Sequence, residues 1–110
     1  MELHWCWQCD EVVALFDEDE WEPLRERLDQ GLRRERKARK QDGVCDLEEA
    51  YEDALGLHEI LTGARPEDPR VIRHHRLAAF GPPCPRCELL LRTPSAELCS
   101  ECGAARRRAE

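Results

Sequence analysis

The chain is expected to adopt a mainly α fold with a small β component, in which two to three helices are closed off at both ends by cysteine pairs. Three features carry that expectation. Apolar residues recur at helical spacing in two separate stretches of the middle of the chain. One short run, DEVVALF at residues 10–16, is β-prone. Six of the seven cysteines, Cys6, Cys9, Cys84, Cys87, Cys99 and Cys102, fall into three Cys-x-x-Cys pairs near the termini.

The β-prone run follows Cys9 directly, as a strand does when it leaves a metal-binding turn. In the next segment Trp21, Leu24, Leu28 and Leu32 form one helical stripe. Asp17 and Glu20 have capping-box spacing, and the early acids complement the positive helix start. Pro23 lacks an amide donor and crowds the preceding turn, so the helix is expected to begin near Glu22 or to kink. Past Leu32 the stripe ends, and RRERKARK reads as a frayed, solvated helix end or a linker.

A second helix is predicted over LEEAYEDALGLHEIL, with Asp46 and Glu49 as cap and Gly63 as its stop. Leu47, Tyr51, Ala54, His58 and Leu61 mark its apolar face, with Ala50 and Leu57 beside it. Gly56 costs about 1 kcal/mol relative to Ala inside a helix, which points to a close approach between helices there. Asp68-Pro69 then reads as the N-cap and first position of a third helix, VIRHHRLAAF, halted by Gly81-Pro82-Pro83.

Only six aromatic residues are present, Trp5, Trp7, Phe16, Trp21, Tyr51 and Phe80, so the core of this 110-residue chain is thin and cross-links would help it. An odd number of cysteines in Cys-x-x-Cys pairs does not look like a disulfide framework. No signal-peptide pattern opens the chain, and no apolar run approaches the roughly 18 residues of a membrane span. A reducing, cytoplasmic setting is expected. Fifteen arginines against two lysines is a bias of GC-rich genomes and fits a bacterial source.

Cys84-Pro-Arg-Cys87, an eleven-residue insert and Cys99-Ser-Glu-Cys102 have the spacing of a four-thiolate zinc site. Zinc takes four thiolates tetrahedrally at about 2.3 Å, and two short knuckles deliver two sulfurs each. Leu89, Leu90 and Leu91 extend from one knuckle, Thr93-Pro94-Ser95 turns the chain, and Gly103 relieves backbone strain after the second. Glu88 stands where the first knuckle would be eased by glycine. Such a site is coordinatively closed and structural. The expected division is residues 1–83 as a helical domain with the N-terminal pair and 84–110 as the ribbon, packed as one unit.

Cys84 to Gly103, with Arg92-Thr93-Pro94 in the insert, looks like the zinc-ribbon class. The longer stretch GPPCPRCELLLRTPSAELCSECG, preceded by HHRLAAFG, resembles a family of small uncharacterised bacterial proteins. These begin with a tryptophan-flanked Cys-x-x-Cys, as WCWQC does here, and end in a ribbon. The resemblance covers both chain ends, matches the charged middle loosely, and departs at Glu88. It implies a shared architecture and no particular activity.

Cys6 and Cys9 are half of a zinc site, a redox dithiol, or free thiols beside tryptophans that pack on the helices, with Trp5 and Trp7 on one strand face. A thioredoxin-like motif would need a preceding strand, for which little room is expected ahead of Cys6, and a following helix, whereas the run after Cys9 is β-prone. A second zinc would draw on His4, Cys45, His58, His74 or His75. His58 lies on an apolar helix face and suits a hydrogen-bonded core histidine. His4 alternates with Cys6 along a strand. Cys45 precedes a helix start, where it could ligate or simply be buried. The favoured set is Cys6 and Cys9 with His74, His75 or both, and a further ligand unassigned.

The net charge of −7 is unevenly distributed: −8 over residues 1–30, +4 over 31–43, −6 over 44–63 and +3 over 64–110. Acidic blocks dominate, which disfavours general nucleic-acid binding and suits a basic protein partner. No phosphate loop, nucleophile elbow or His-Glu-x-x-His is present. The chain is therefore read as a non-enzymatic protein–protein interaction module, in one version an immunity or antitoxin-like protein. One alternative is a nucleic-acid-associated regulator touching phosphates through Arg33, Arg34, Arg36, Lys37 and the terminal arginines. The other is a thiol or metal sensor using Cys6 and Cys9.

Overall fold

The computed structural model describes residues 1–105; the terminal arginines weighed above as phosphate contacts lie outside them. The chain starts with an antiparallel hairpin, β1 (Glu2–Cys6) and β2 (Glu11–Leu15), in which His4 faces Val13 and Cys6 faces Glu11 across the ladder. Three helices follow: α1 (Glu18–Asp42), α2 (Leu47–Ala50) and α3 (Glu52–Thr62). Two short 3-10 helices, Pro69–His74 and Leu77–Ala79, lead into the cysteine-rich C-terminal segment. The outcome is a mixed fold, helical with a small sheet.

α1 begins a full turn before Pro23. Its capping box is complete: the Asp17 side chain accepts from the Glu20 amide, and Glu20 returns the bond to the Asp17 amide. The first turn is also tied down from outside, by the Met1 ammonium on Glu20 at 2.8 Å and by Arg76 on both oxygens of Glu18 at 2.8 Å. These contacts, with the burial of Trp21, outweigh the amide bond that Pro23 cannot make. The expected start near Glu22 is thus corrected.

The basic run does not fray. α1 continues to Asp42 and ends on Gly43, whose φ of 77° is the left-handed cap that glycine adopts freely. The reason lies inward, on residues that helical periodicity alone passes over. The buried stripe runs Trp21, Leu24, Leu28, Gly31 and Glu35. Tyr51 lies on Gly31 so closely that a Cβ there would sit 2.3 Å from its ring. The Tyr51 hydroxyl donates to the buried Glu35 carboxylate at 2.8 Å, and Arg39 adds a second bond at 3.0 Å. Burial pushes the Glu35 carboxyl up, but the Tyr51 and Arg39 donors more than compensate and hold it below the usual carboxylate value.

The close helix approach therefore falls at Gly31. Gly56, where it was expected, has open space around it. The second predicted helix is broken at Tyr51 into α2 and α3, with Asp46 accepting from Glu49 and Gly63 closing the end at φ 82°. The third predicted helix is not α-helical. Asp68 caps Pro69–His74 through the Arg70 amide, and the chain leaves the turn at His75 to run beside Phe16. Backbone bonds from Phe16 to the His75 carbonyl at 2.8 Å and from Leu77 to the Phe16 carbonyl at 2.9 Å compete with helix continuation and replace it.

Phe16, Trp21, Leu24, Leu28, Ala50, Tyr51, Ala54 and Ile72 make the helical core. Cys6, Leu15, Phe80 and Leu90 make a second cluster that joins the hairpin to the C-terminal segment. Cys84, Leu91 and Cys99 form a third. The hairpin is thus wedged between the helices and the cysteine-rich end, which a lone two-stranded hairpin needs for stability. Trp7 lies in the hairpin turn rather than on the strand, so it does not share a strand face with Trp5; the Arg92 guanidinium sits 4.5 Å from the centre of its ring.

Candidate metal centres

Each Cys-x-x-Cys pair closes the same small turn. The carbonyl of its first cysteine accepts from the amide four residues on: Asp10 to Cys6 at 2.8 Å, Glu88 to Cys84 at 3.0 Å, and Gly103 to Cys99 at 2.7 Å. The residue donating that amide has a positive φ in all three, 56° at Asp10, 67° at Glu88 and 77° at Gly103. Only the third is a glycine, so Glu88 and Asp10 hold left-handed backbone at a cost of about 1 kcal/mol or more, less for Asp. The sequence pattern exposes Glu88 by comparison with Gly103; it does not single out Asp10.

The two C-terminal knuckles face each other. The four sulfurs of Cys84, Cys87, Cys99 and Cys102 all lie within 4.8 Å of one another. Cys84 to Cys102 and Cys87 to Cys99 are each 3.6 Å. That is too long for a disulfide, whose sulfurs are about 2.05 Å apart, and close to the roughly 3.8 Å edge of a tetrahedron with 2.3 Å arms. Backbone amides support the charge: those of Cys87 and Arg86 hold the Cys84 thiol at about 6, well below an ordinary thiol, with Arg86 N–H 3.4 Å from the sulfur. Gly81 is fixed by proximity, since a Cβ there would meet the Thr93 carbonyl at 2.3 Å.

At the other end Cys6, Cys9 and His75 converge, again within 4.8 Å of one another. Cys9 Sγ and His75 Nε2 are 3.3 Å apart, near the roughly 3.5 Å expected between sulfur and imidazole nitrogen on one zinc. The hairpin supplies the cysteines, and the backbone pairing at Phe16 brings His75 to them. Burial, with the neighbouring His74 and His58, holds His75 at about 4, so at neutral pH its imidazole is uncharged and can donate a lone pair. Burial and the adjacent Cys6 push Cys9 up to about 11. β1 does precede Cys6, so the strand expected to lack room is present, but β2 follows the pair where a thioredoxin-like motif has a helix.

Of the two candidate histidines, the structure brings His75 into the cluster and leaves His74 out of it. His74 lies beside the site, with its Nδ1 buried and without a hydrogen-bond partner. His58 is a packed core residue, edge-on to Phe16 and bonded through Nδ1 to the Ala64 carbonyl at 2.7 Å. His4 is turned to Glu2 at 3.3 Å, and Cys45 packs against the helical core. Arg33, Arg36 and Lys37 are exposed on α1, while Arg34 is paired with Asp53 at 3.0 Å.

Comparison with family models, with curated proteins and with solved structures gives no match to this chain. The likeness noted above accordingly rests on the cysteine pattern and on the two donor clusters that it builds. No helix among the described residues is long and apolar enough to cross a membrane.

Proposed function

We propose that this protein is a small zinc-stapled interaction module whose two metal centres fasten both chain ends to a thin helical core. The observation that carries the reading is the convergence of two donor sets, one of four thiolates and one of two thiolates and a neutral imidazole. Thiolate-rich tetrahedral sets suit zinc over harder cations. The apolar cluster that joins the hairpin to the C-terminal segment is small, built on Leu15, Phe80 and Leu90, so metal would add substantially to it. Metal binding is then folding energy, since the unfolded chain presents no such sites.

The partner is a protein with a basic surface. Many of this chain's arginines are already engaged internally: Arg65 on Glu52 and Glu59, Arg73 on Asp29, Arg76 on Glu18, Arg92 on Glu101. Acidic side chains such as Glu11, Glu48, Glu49 and Glu67 remain exposed, so the outward field favours a cationic partner over phosphate. Two measurements test the reading. A strong zinc chelator is expected to unfold the protein at neutral pH, and the zinc-loaded protein should bind an arginine-rich peptide but not duplex DNA at physiological salt. Retention of the fold without zinc, or salt-dependent DNA binding in preference to the peptide, contradicts it.

A further inference from the structure

The C-terminal centre offers four donors and is closed; the N-terminal one offers three. Zinc bound by three protein ligands completes its shell with a fourth from elsewhere, as it does in sites of two cysteines and a histidine that keep an exchangeable position. His74 is the adjacent candidate, but its nitrogens do not join the converging donors. The backbone leaves the 3-10 turn between the two residues, and the His74 and His75 rings stand 6.5 Å apart at 72°.

A groove opens beside Cys9, between the hairpin turn and the connector before the first 3-10 helix. Gln8, Glu11, Glu67, Asp68 and Val71 line it, and so does His74. The buried, unpartnered Nδ1 of His74 thus belongs to a residue on the wall of a groove that also reaches a metal-ligating sulfur. A buried polar atom of this kind is costly unless something satisfies it.

We propose that the Cys6–Cys9–His75 centre keeps one coordination position facing this groove, and that the position takes a small neutral nitrogen or sulfur donor from outside the chain, with His74 hydrogen-bonding the incoming ligand. The inference rests on the second metal centre argued above. Charge selects the ligand class. A divalent ion with two thiolates and a neutral imidazole has no net charge, so it gives an anion little attraction. Glu11 and Glu67 at the groove mouth repel anions, while Asp68 is already held by Arg70 at 2.9 Å. Water occupies the position at rest, and a donor displaces it by simple ligand exchange with no change in oxidation state.

Cobalt(II) replaces zinc with visible d–d bands that report coordination at each centre. The wild-type chain loaded with two cobalt equivalents would be titrated with imidazole and, separately, with sodium azide. Imidazole is expected to shift the bands of one cobalt saturably with both ions retained, and azide to need at least about tenfold higher concentration. In H74A the N-terminal cobalt should remain tetrahedral and bind imidazole more weakly. Bands indifferent to imidazole in the wild type, or cobalt stripped rather than shifted, overturn the proposal. So does loss of the N-terminal tetrahedral bands in H74A, which would make His74 the fourth ligand, and so does azide binding as well as imidazole. Uptake of a single cobalt by the wild type is a different result: it removes the second centre itself. The wild-type titration decides the question even if H74A folds poorly.

Discussion

Replacing Gly31 by alanine should destabilise the protein although it improves the intrinsic helix propensity of α1. Gly→Ala inside a helix is ordinarily worth about 1 kcal/mol in the stabilising direction. Here a Cβ would fall 2.3 Å, 2.6 Å and 2.8 Å from Cδ1, Cε1 and Cγ of Tyr51, so the ring must move. Overpacking of this kind costs about 1–3 kcal/mol. The displaced ring also pulls its hydroxyl from the buried Glu35 carboxylate, now 2.8 Å away, for a further ~1.5–3 kcal/mol. The net loss is about 1.5–5 kcal/mol. Gly56→Ala provides the control, since nothing lies within 4 Å of the added methyl, and it should gain about 0.5–1 kcal/mol. Urea midpoints of the zinc-saturated proteins, at unchanged slope, report both. G31A as stable as the wild type, or G56A the more damaging of the two, refutes the assignment of the helix contact.

Three further outcomes follow from the same geometry. Glu88→Gly removes a side chain from backbone at φ 67° and should stabilise the zinc-loaded protein by about 0.5–1 kcal/mol, seen as a rise in melting temperature; a fall would mean that the Glu88 side chain does more than occupy the turn. Tyr51→Phe leaves the Glu35 carboxylate short of its hydroxyl donor and should cost about 1.5–3 kcal/mol by urea unfolding, against no change if that bond is incidental. His75, held at about 4 when folded against an ordinary value near 6.5, binds its proton more readily in the unfolded chain. Its contribution is therefore fully present above pH 6.5 and is lost as the pH falls toward 4. The urea midpoint of the zinc-loaded protein should accordingly fall as the pH drops through that window, and in His75→Gln it should be lower throughout and fall less; an equal fall in both proteins would contradict the assignment.

Local signals were legible wherever a few neighbouring residues decide the outcome. Asp17 and Glu20 cap α1, Gly63 ends α3, and the spacing of the last four cysteines brings their sulfurs together. What could not be read depends on residues far apart in the chain. Glu35 looks like one more charge in a solvated run until Tyr51, sixteen residues on, supplies its hydroxyl. Gly31 shows no reason to be glycine until the same ring lies on it. The choice of His75 over His74 is made by the backbone of Phe16, which captures the chain at residues 75–77 and turns an expected α-helix into two 3-10 segments. Helical periodicity in VIRHHRLAAF carries no trace of that competition. Pro23 misled in the opposite direction, because the first turn of α1 is fastened by Met1 and Arg76, both outside the helix.

The charged surface tells a related lesson. Of the arginines between residues 64 and 105, Arg65, Arg70, Arg73, Arg76 and Arg92 each meet a carboxylate of this chain. Individually such exposed pairs contribute little to stability, about 0–1 kcal/mol. Each pair cancels one positive and one negative charge, so the acidic excess of the chain comes from its net charge of −7, while these arginines are already engaged.

The account stands most directly on metal content. Elemental analysis of the purified wild type and of Cys6→Ser/Cys9→Ser, with melting temperatures on the same samples, measures it. Two zinc ions per wild-type chain, falling to one in the variant with a clear loss of stability, are expected. One zinc in both proteins, with unchanged melting, would contradict the N-terminal centre and leave the hairpin held to the helices by packing and backbone pairing alone.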